Sequence, residues 1–219
     1  MDMKYIGHSA FEFKIGDRCI LVDPYVSINP KYNWHERNIT DIFLTHAHGD
    51  HLGEAIEISK EKNATITAAF ELANYLKEQG CNVRSVGFGG WINYEWGRVV
   101  FVPAFHSSSL PDGRYAGEAA GIIFEIENVK IYHAGDTCLT GEMKTLKELY
   151  RPNIALLPIG GNYTMDVEHA AVAADWLGAQ TVIPMHYNTF PEIQADLQRF
   201  LQLVQVNNSN CLILDPEKI

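Results

Sequence analysis

Apolar and polar residues alternate along FEFKI at 11–15, the period-two mark of a strand with one buried face. A short continuous apolar run, CILV at 19–22, follows it, and Gly16 and Asp17 between them supply the turn of a hairpin. The run DIFL at 41–44 predicts another strand, one that leads straight into a histidine-rich loop. Helical spacing covers 53–62 and 70–79. Strand-like segments recur at 83–86, 99–102, 122–126 and 129–132. Helical patterns return at 142–150, 167–177 and 191–206, and apolar strands are predicted among them at 154–157, 181–185 and 211–214.

The order is strands, then alternating helix and strand, then the same succession again. It predicts an α/β fold of two similar halves meeting near residues 105–120. Each half supplies a sheet with helices on its outer face, giving a four-layer αβ/βα sandwich. No repeat, linker or low-complexity segment interrupts the chain, so one domain spanning 1–219 is expected. Segments 27–38 and 105–120 are long loops, which in compact domains tend to carry function.

Composition narrows the class. The 219 residues are 47% hydrophobic and 20% charged, a balance that excludes intrinsic disorder. The formal charge of -10 disfavours nucleic-acid binding, which needs a positive surface. Cys19, Cys81, Cys138 and Cys211 form no CxxC pair and stand in or beside apolar stretches, the pattern of buried free thiols in a reducing compartment. The segment 1–11 lacks the features of a signal peptide, and no apolar run approaches the ~18 residues of a membrane span. A cytoplasmic protein outside the membrane is the expectation.

The chemistry concentrates in THAHGDH at 45–51, with three histidines and an aspartate inside six residues after a strand. Imidazole and carboxylate are the usual ligands of zinc and related divalent ions. His46 and His48, two apart, can point the same way in an extended loop. Asp50 and His51 can turn toward a second ion, with Gly49 where the backbone bends.

HAHGDH resembles the HxHxDH signature of the metallo-β-lactamase superfamily. The whole chain is similar to the UPF0173 group of metal-dependent hydrolases, relatives of the ascorbate-6-phosphate lactonases. The similarity rests on GHSAF at 7–11, LVDP at 21–24, Asn29 and Pro30, 46–53, HSS at 106–108, YHAGDT at 132–137, GNYTM at 161–165 and PMHYNTFP at 184–191. It implies two divalent metal ions, zinc first and manganese second. His46, His48 and His106 would hold one, and Asp50, His51 and His186 the other, with Asp136 bridging. The residues fit: His106, Asp136 and His186 each follow an apolar strand. Two such ions can share a hydroxide at neutral pH and polarise a substrate oxygen. Asp50, Asp136, His186 and His8 are the catalytic candidates. The chain departs from the group's pattern at Cys138, where glycine is usual, and at Glu54, where aspartate is frequent.

Other residues keep two readings open. Asp23 is a supporter of a ligand histidine or a turn carboxylate before Pro24. His8 binds substrate or donates a proton, or is a buried structural histidine. His133 supports a ligand or is core. The aromatics of the 25–35 loop (Tyr25, Tyr32, Trp34, with His35) form a substrate wall or pack the loop. Ser107, Ser108 and Ser109 bind an anion or fill a plain loop, and Gly160 and Gly161 bring backbone close to the site or make a turn. His35 and His169 read as surface residues, and Asp166 as a helix N-cap.

The expected function is hydrolysis of a small ester, lactone or phosphoester by a hydroxide bridging two metals. Alternatives are a phosphodiesterase or nuclease of the same fold, a mononuclear iron dioxygenase, or a non-hydrolytic metal-binding protein. The expected partner is a small-molecule substrate, with no nucleic acid or membrane, and self-association into a homo-oligomer is an open expectation.

Overall fold

The hairpin read from 11–22 forms, and a sheet is built outward from it. The computed structural model describes residues 1–206 and 209–216, which divide into two units. The first unit comprises 1–87, 107–119 and, among described residues, 215–216. Its sheet has the order β1 (Asp2–Gly7), β2 (Ala10–Ile15), β3 (Arg18–Val22), β4 (Ile39–Phe43), β5 (Thr65–Ala69), β6 (Asn82–Val86). The strand β2 is antiparallel to both β1 and β3, and β3 to β6 are mutually parallel. Hence β1, β3 and β4 all point the same way. Their carboxyl ends present His8, Asp23 and the histidine motif at one edge.

The α-helices among the described residues of this unit are α1 (Gly49–Leu52), α2 (Ala55–Lys62) and α3 (Phe70–Glu78). The first lies inside the motif expected to be a loop. Gly49 opens that helix, and the sharp bend falls instead at Gly53 (φ 44), where a Cβ would stand 2.3 Å from the Pro24 carbonyl oxygen. Asn63 ends α2 in the left-handed region (φ 55), a common helix stop. α2 packs on β4 and β5, and α3 on β5 and β6. Ile6, Leu21, Ile42, Leu44, Ile58, Ile66 and Leu76 are fully buried in the core of this unit, each contributing about 1.5–3 kcal/mol by leaving water.

The second unit comprises 88–106 and, of the remainder, 120–206 and 209–214. Its strands are β7 (Ile92–Tyr94), β8 (Gly97–Pro103), β9 (Ala120–Ile126), β10 (Val129–His133), β11 (Ile154–Pro158), β12 (Thr181–Met185) and β13 (Asn210–Cys211), and they neighbour one another in that order. The helices are α4 (Glu142–Leu149), α5 (Val167–Leu177) and α6 (Leu197–Val206). The strands β7 to β10 are antiparallel and β10 to β13 parallel. So β8, β10, β11 and β12 share a direction, and the residues after them (His106, Asp136, 159–166 and His186) gather at their carboxyl ends.

The predicted halves exist, but their border differs: the first unit breaks off at Gly87 and reclaims 107–119. β1 and β7 were not predicted as separate strands. The helix expected from 191 begins at Leu197, where Asp196 caps it by accepting the Arg199 amide at 3.0 Å. No helix among the described residues is long and apolar enough to cross a membrane.

Candidate metal centre

In the first unit, Asp23 organises the motif. Held at φ 45 directly after β3 and fully buried, its carboxylate accepts the Thr45 amide at 2.8 Å, the Thr45 hydroxyl at 2.6 Å and the Nδ1–H of His51 at 2.7 Å. Because the one hydroxyl proton of Thr45 goes to Asp23, the 3.0 Å contact between Thr45 Oγ1 and His46 Nδ1 is donated by the histidine. His46 and His51 are therefore both Nδ1–H tautomers whose Nε2 carries the lone pair. Such hydrogen bonding by the far nitrogen is the usual orientation of a metal-binding histidine.

The His48 ring is held at both nitrogens. Its Nε2 lies 3.4 Å from the Ser107 hydroxyl. Its Nδ1 stands 3.0 Å from His46 Nε2, within hydrogen-bonding distance of that lone pair. Two ligands about 2.0–2.1 Å from a tetrahedral ion lie about 3.3 Å apart, so this spacing is close to what two ligands of one such ion would need. The Ala47 amide, between them, donates to Ser108 Oγ at 3.3 Å and anchors the loop.

Asp50 is in the first turn of α1 and half exposed, and it pairs with His8 Nε2 at 2.9 Å. His8 is fully buried at φ 54, against the edge of Tyr25 and of His51. His8, Asp50 and His51 each offer an atom within 4.8 Å of the others, a His/Asp cluster able to bind a metal.

In the second unit, Asp136 is the hub. Its Oδ2 lies 3.1 Å from His186 Nε2 and 3.5 Å from His106 Nε2. Asp136 and His186 are buried, and His106 is half-buried. The Gly135 amide donates to His133 Nδ1 at 3.2 Å, which shapes the turn before Asp136. The Phe105 amide donates to Thr137 Oγ1 at 3.1 Å, which ties the His106 loop to the Asp136 loop. His186 sits at φ 53, and a Cβ on Gly160 would stand 2.3 Å from the His186 carbonyl oxygen, so glycine there permits the close approach. His8, Asp23 and His186 are all non-glycine residues with left-handed backbones, a conformation that costs energy and concentrates at functional sites.

Several open readings close. Asp23 holds the predicted ligand His51 directly, and His133 is a buried residue that accepts the amide of Gly135, next to Asp136. Tyr32 and Trp34 are core side chains, not a substrate wall, and the Tyr32 hydroxyl donates to the buried Glu12 at 2.5 Å. Burial, and then the negative charge of Glu12, push the Tyr32 phenol up. His35 and His169 are exposed and pair with Glu61 and Asp166, and Asp166 caps α5 by accepting the His169 amide at 2.8 Å. The His35 hydrogen bond draws the Glu61 carboxyl down. Cys138 is exposed. One contributor escaped the sequence reading: Glu54 accepts the Val26 amide at 2.8 Å and the Ser27 amide at 3.2 Å, which closes the 24–27 turn onto the start of α2. Its partners are far away in the chain and offer only backbone, so no side-chain pattern could have announced it.

Known proteins share this arrangement of elements. A family model described as a beta-lactamase superfamily domain matches residues 2–186. A UPF0173 metal-dependent hydrolase of Bacillus cereus is 43% identical over 212 residues, covering 94% of this chain and 93% of the relative. Igni18, a metallo hydrolase from Ignicoccus hospitalis, superposes with a TM-score of 0.90 at 35% identity, covering 98% of this chain and 94% of its own. An isothiocyanate hydrolase from Delia radicum gut bacteria, at 19% identity and a TM-score of 0.78, shares the fold alone. The expected metallo-β-lactamase fold is thus present, and the chain belongs to the UPF0173 metal-dependent hydrolases of the beta-lactamase superfamily.

Proposed function

We propose that the protein hydrolyses a small ester, lactone or phosphoester at a centre of two divalent cations, with residues 1–219 acting as one catalytic domain. His46 Nε2, His48 Nδ1 and His106 hold one cation; Asp50, His51 Nε2 and His186 hold the other; Asp136 is shared. The observation that carries the reading is the His46–His48 pair: His46 Nε2 and His48 Nδ1 are 3.0 Å apart, and the other nitrogen of each ring lies against the Thr45 or Ser107 hydroxyl.

Zinc is the first candidate and manganese the second, since imidazole and carboxylate suit both. Such cations supply hydroxide at neutral pH and polarise the scissile oxygen. The protein's own part is positioning. Asp23 holds His51 and, through Thr45, His46 in ligating tautomers. His8 holds Asp50 by its Nε2–H, so that this carboxylate would take the proton of the attacking hydroxide and pass it to the leaving group.

Elemental analysis of the purified protein, with turnover of p-nitrophenyl esters, lactones and phosphodiesters, tests the proposal. Two zinc or manganese ions per chain and chelator-sensitive turnover are expected. Asp136→Ala and His48→Ala should each cut turnover at least a hundredfold while the circular dichroism spectrum is kept. Wild-type rates in either variant would refute the ligand assignment.

A further inference from the structure

The ligand-bearing edge of the second unit presents large apolar groups to solvent. Phe105, bonded to His106, and Tyr163, in the loop after β11, are each 59% exposed. Cys138, two residues beyond Asp136, is exposed too. Surface aromatics scattered singly need no explanation, but these are bound into one rim. The Phe105 amide donates to Thr137 Oγ1 at 3.1 Å, and the Cys138 amide donates back to the Phe105 carbonyl at 3.4 Å. The Met165 amide donates to the Thr137 carbonyl at 3.2 Å, and the Gly161 amide to the Met165 carbonyl at 2.9 Å. The Tyr163 amide donates to the Gly161 carbonyl at 2.6 Å. Three loops are thereby tied to the residues that follow Asp136; one carries Phe105 and another Tyr163, and Met165 is buried.

Charge separates the possible substrates. Segments 104–109, 134–141, 159–166 and 186–190 contain Asp136 and Asp166 and neither lysine nor arginine. Recognition of a phosphate or a second carboxylate normally recruits such cations. An apolar group laid on Phe105 and Tyr163 would instead remove ring surface from water at no electrostatic cost.

We propose that Phe105 and Tyr163 receive the acyl or aryl group of an uncharged ester or lactone, and so set the enzyme's preference for neutral, lipophilic substrates. This rests on the hydrolase reading above.

The test uses the full chain loaded with metal. Rates for p-nitrophenyl acetate, butyrate and hexanoate and for bis(p-nitrophenyl) phosphate are compared in wild type, Phe105→Ala and Tyr163→Ala, and binding of hexanoate and acetate is measured by titration calorimetry. A fully buried methylene is worth about fourfold. With the rings only partly covered, kcat/KM should rise at least about tenfold from acetate to hexanoate, and hexanoate should bind more tightly than acetate. Each variant should reduce both ratios at least about threefold, with melting temperature and metal content retained. A chain-length profile that is flat, or unmoved by both variants, overturns the inference and leaves a metal-dependent esterase standing. Preference for the phosphodiester also overturns it. Absence of ester turnover, equal to that of Asp136→Ala, removes the hydrolase reading and the inference with it.

Discussion

The Nδ1–H of His51 donates to the Asp23 carboxylate at 2.7 Å, and both side chains are fully buried. One carboxylate oxygen receives this bond and the Thr45 hydroxyl, and the other receives the Thr45 amide. Asp23 thus fixes two histidines, one directly and one through Thr45, without itself being a proposed ligand. Asp23→Asn keeps the shape but turns an NH2 group toward donors. It should lower metal affinity about 10–100-fold, read by competition with a chromogenic chelator. Unchanged affinity would mean that Asp23 serves the turn before Pro24 alone.

His186 depends in the same way on a residue that offers no side chain. Gly160→Ala would set a methyl 2.3 Å from the His186 carbonyl oxygen and 2.8 Å from Ile193 Cβ. Backbone must shift at either site, so a loss of about 1–3 kcal/mol is expected. Metal content should fall with it as His186 moves. Gly87→Ala meets nothing within 4 Å and should be near neutral in the same urea titration.

Tyr32 tests the packing interpretation of the 25–35 loop. Its hydroxyl donates at 2.5 Å to Glu12, a fully buried carboxylate that also pairs with the Arg37 guanidinium at 3.7 Å. Tyr32→Phe removes the short bond and leaves a desolvated acceptor, at a cost of about 1.5–3 kcal/mol. Urea unfolding should show that loss while kcat/KM stays at the wild-type value. A selective effect on KM would return the loop to the substrate wall.

How far the chain could be read follows from where each signal lies. Strands with a buried face, such as 11–15, and helices with a cap, such as Asp166 before α5, carry local patterns and were found within a residue or two. β7 is three residues long, too short for periodicity to register, and β13 covers only Asn210–Cys211 where a strand over 211–214 was expected. The start of α6 was missed although Asp196 stood there as a cap, because the apolar residues from 191 onward continued the helical spacing upstream. The ligand candidates came from the HAHGDH motif and, for His106, Asp136 and His186, from what the family resemblance implies, which their places after apolar strands fit. The supports were harder to read: Asp23 was suspected because it ends a strand beside the histidine motif and Gly160 as a place of close backbone approach, whereas Glu54 accepts distant backbone amides that no motif encodes.

Burial also predicts how the fold responds to alkali. Burial pushes the Cys211 thiol up to about 11, and it raises the thiols of Cys19 and Cys81 as well. An unfolded thiol titrates near ~8.5. Between those values the folded chain keeps protons that the unfolded chain has released, so unfolding releases protons and ΔG of unfolding falls as pH rises. The thiol contribution is intact below about pH 8.5 and is lost on the way to 11 for Cys211. The buried Tyr32 and Tyr132 phenols, also raised, extend the decline to higher pH. Urea midpoints at pH 7.5, 9 and 10.5 should therefore decrease in that order. Cys211→Ser, whose hydroxyl does not titrate, should show a shallower fall between pH 9 and 10.5 than wild type. Equal slopes would assign the alkaline loss to the other raised groups and show that Cys211 ionises as readily in the folded chain as in the unfolded one.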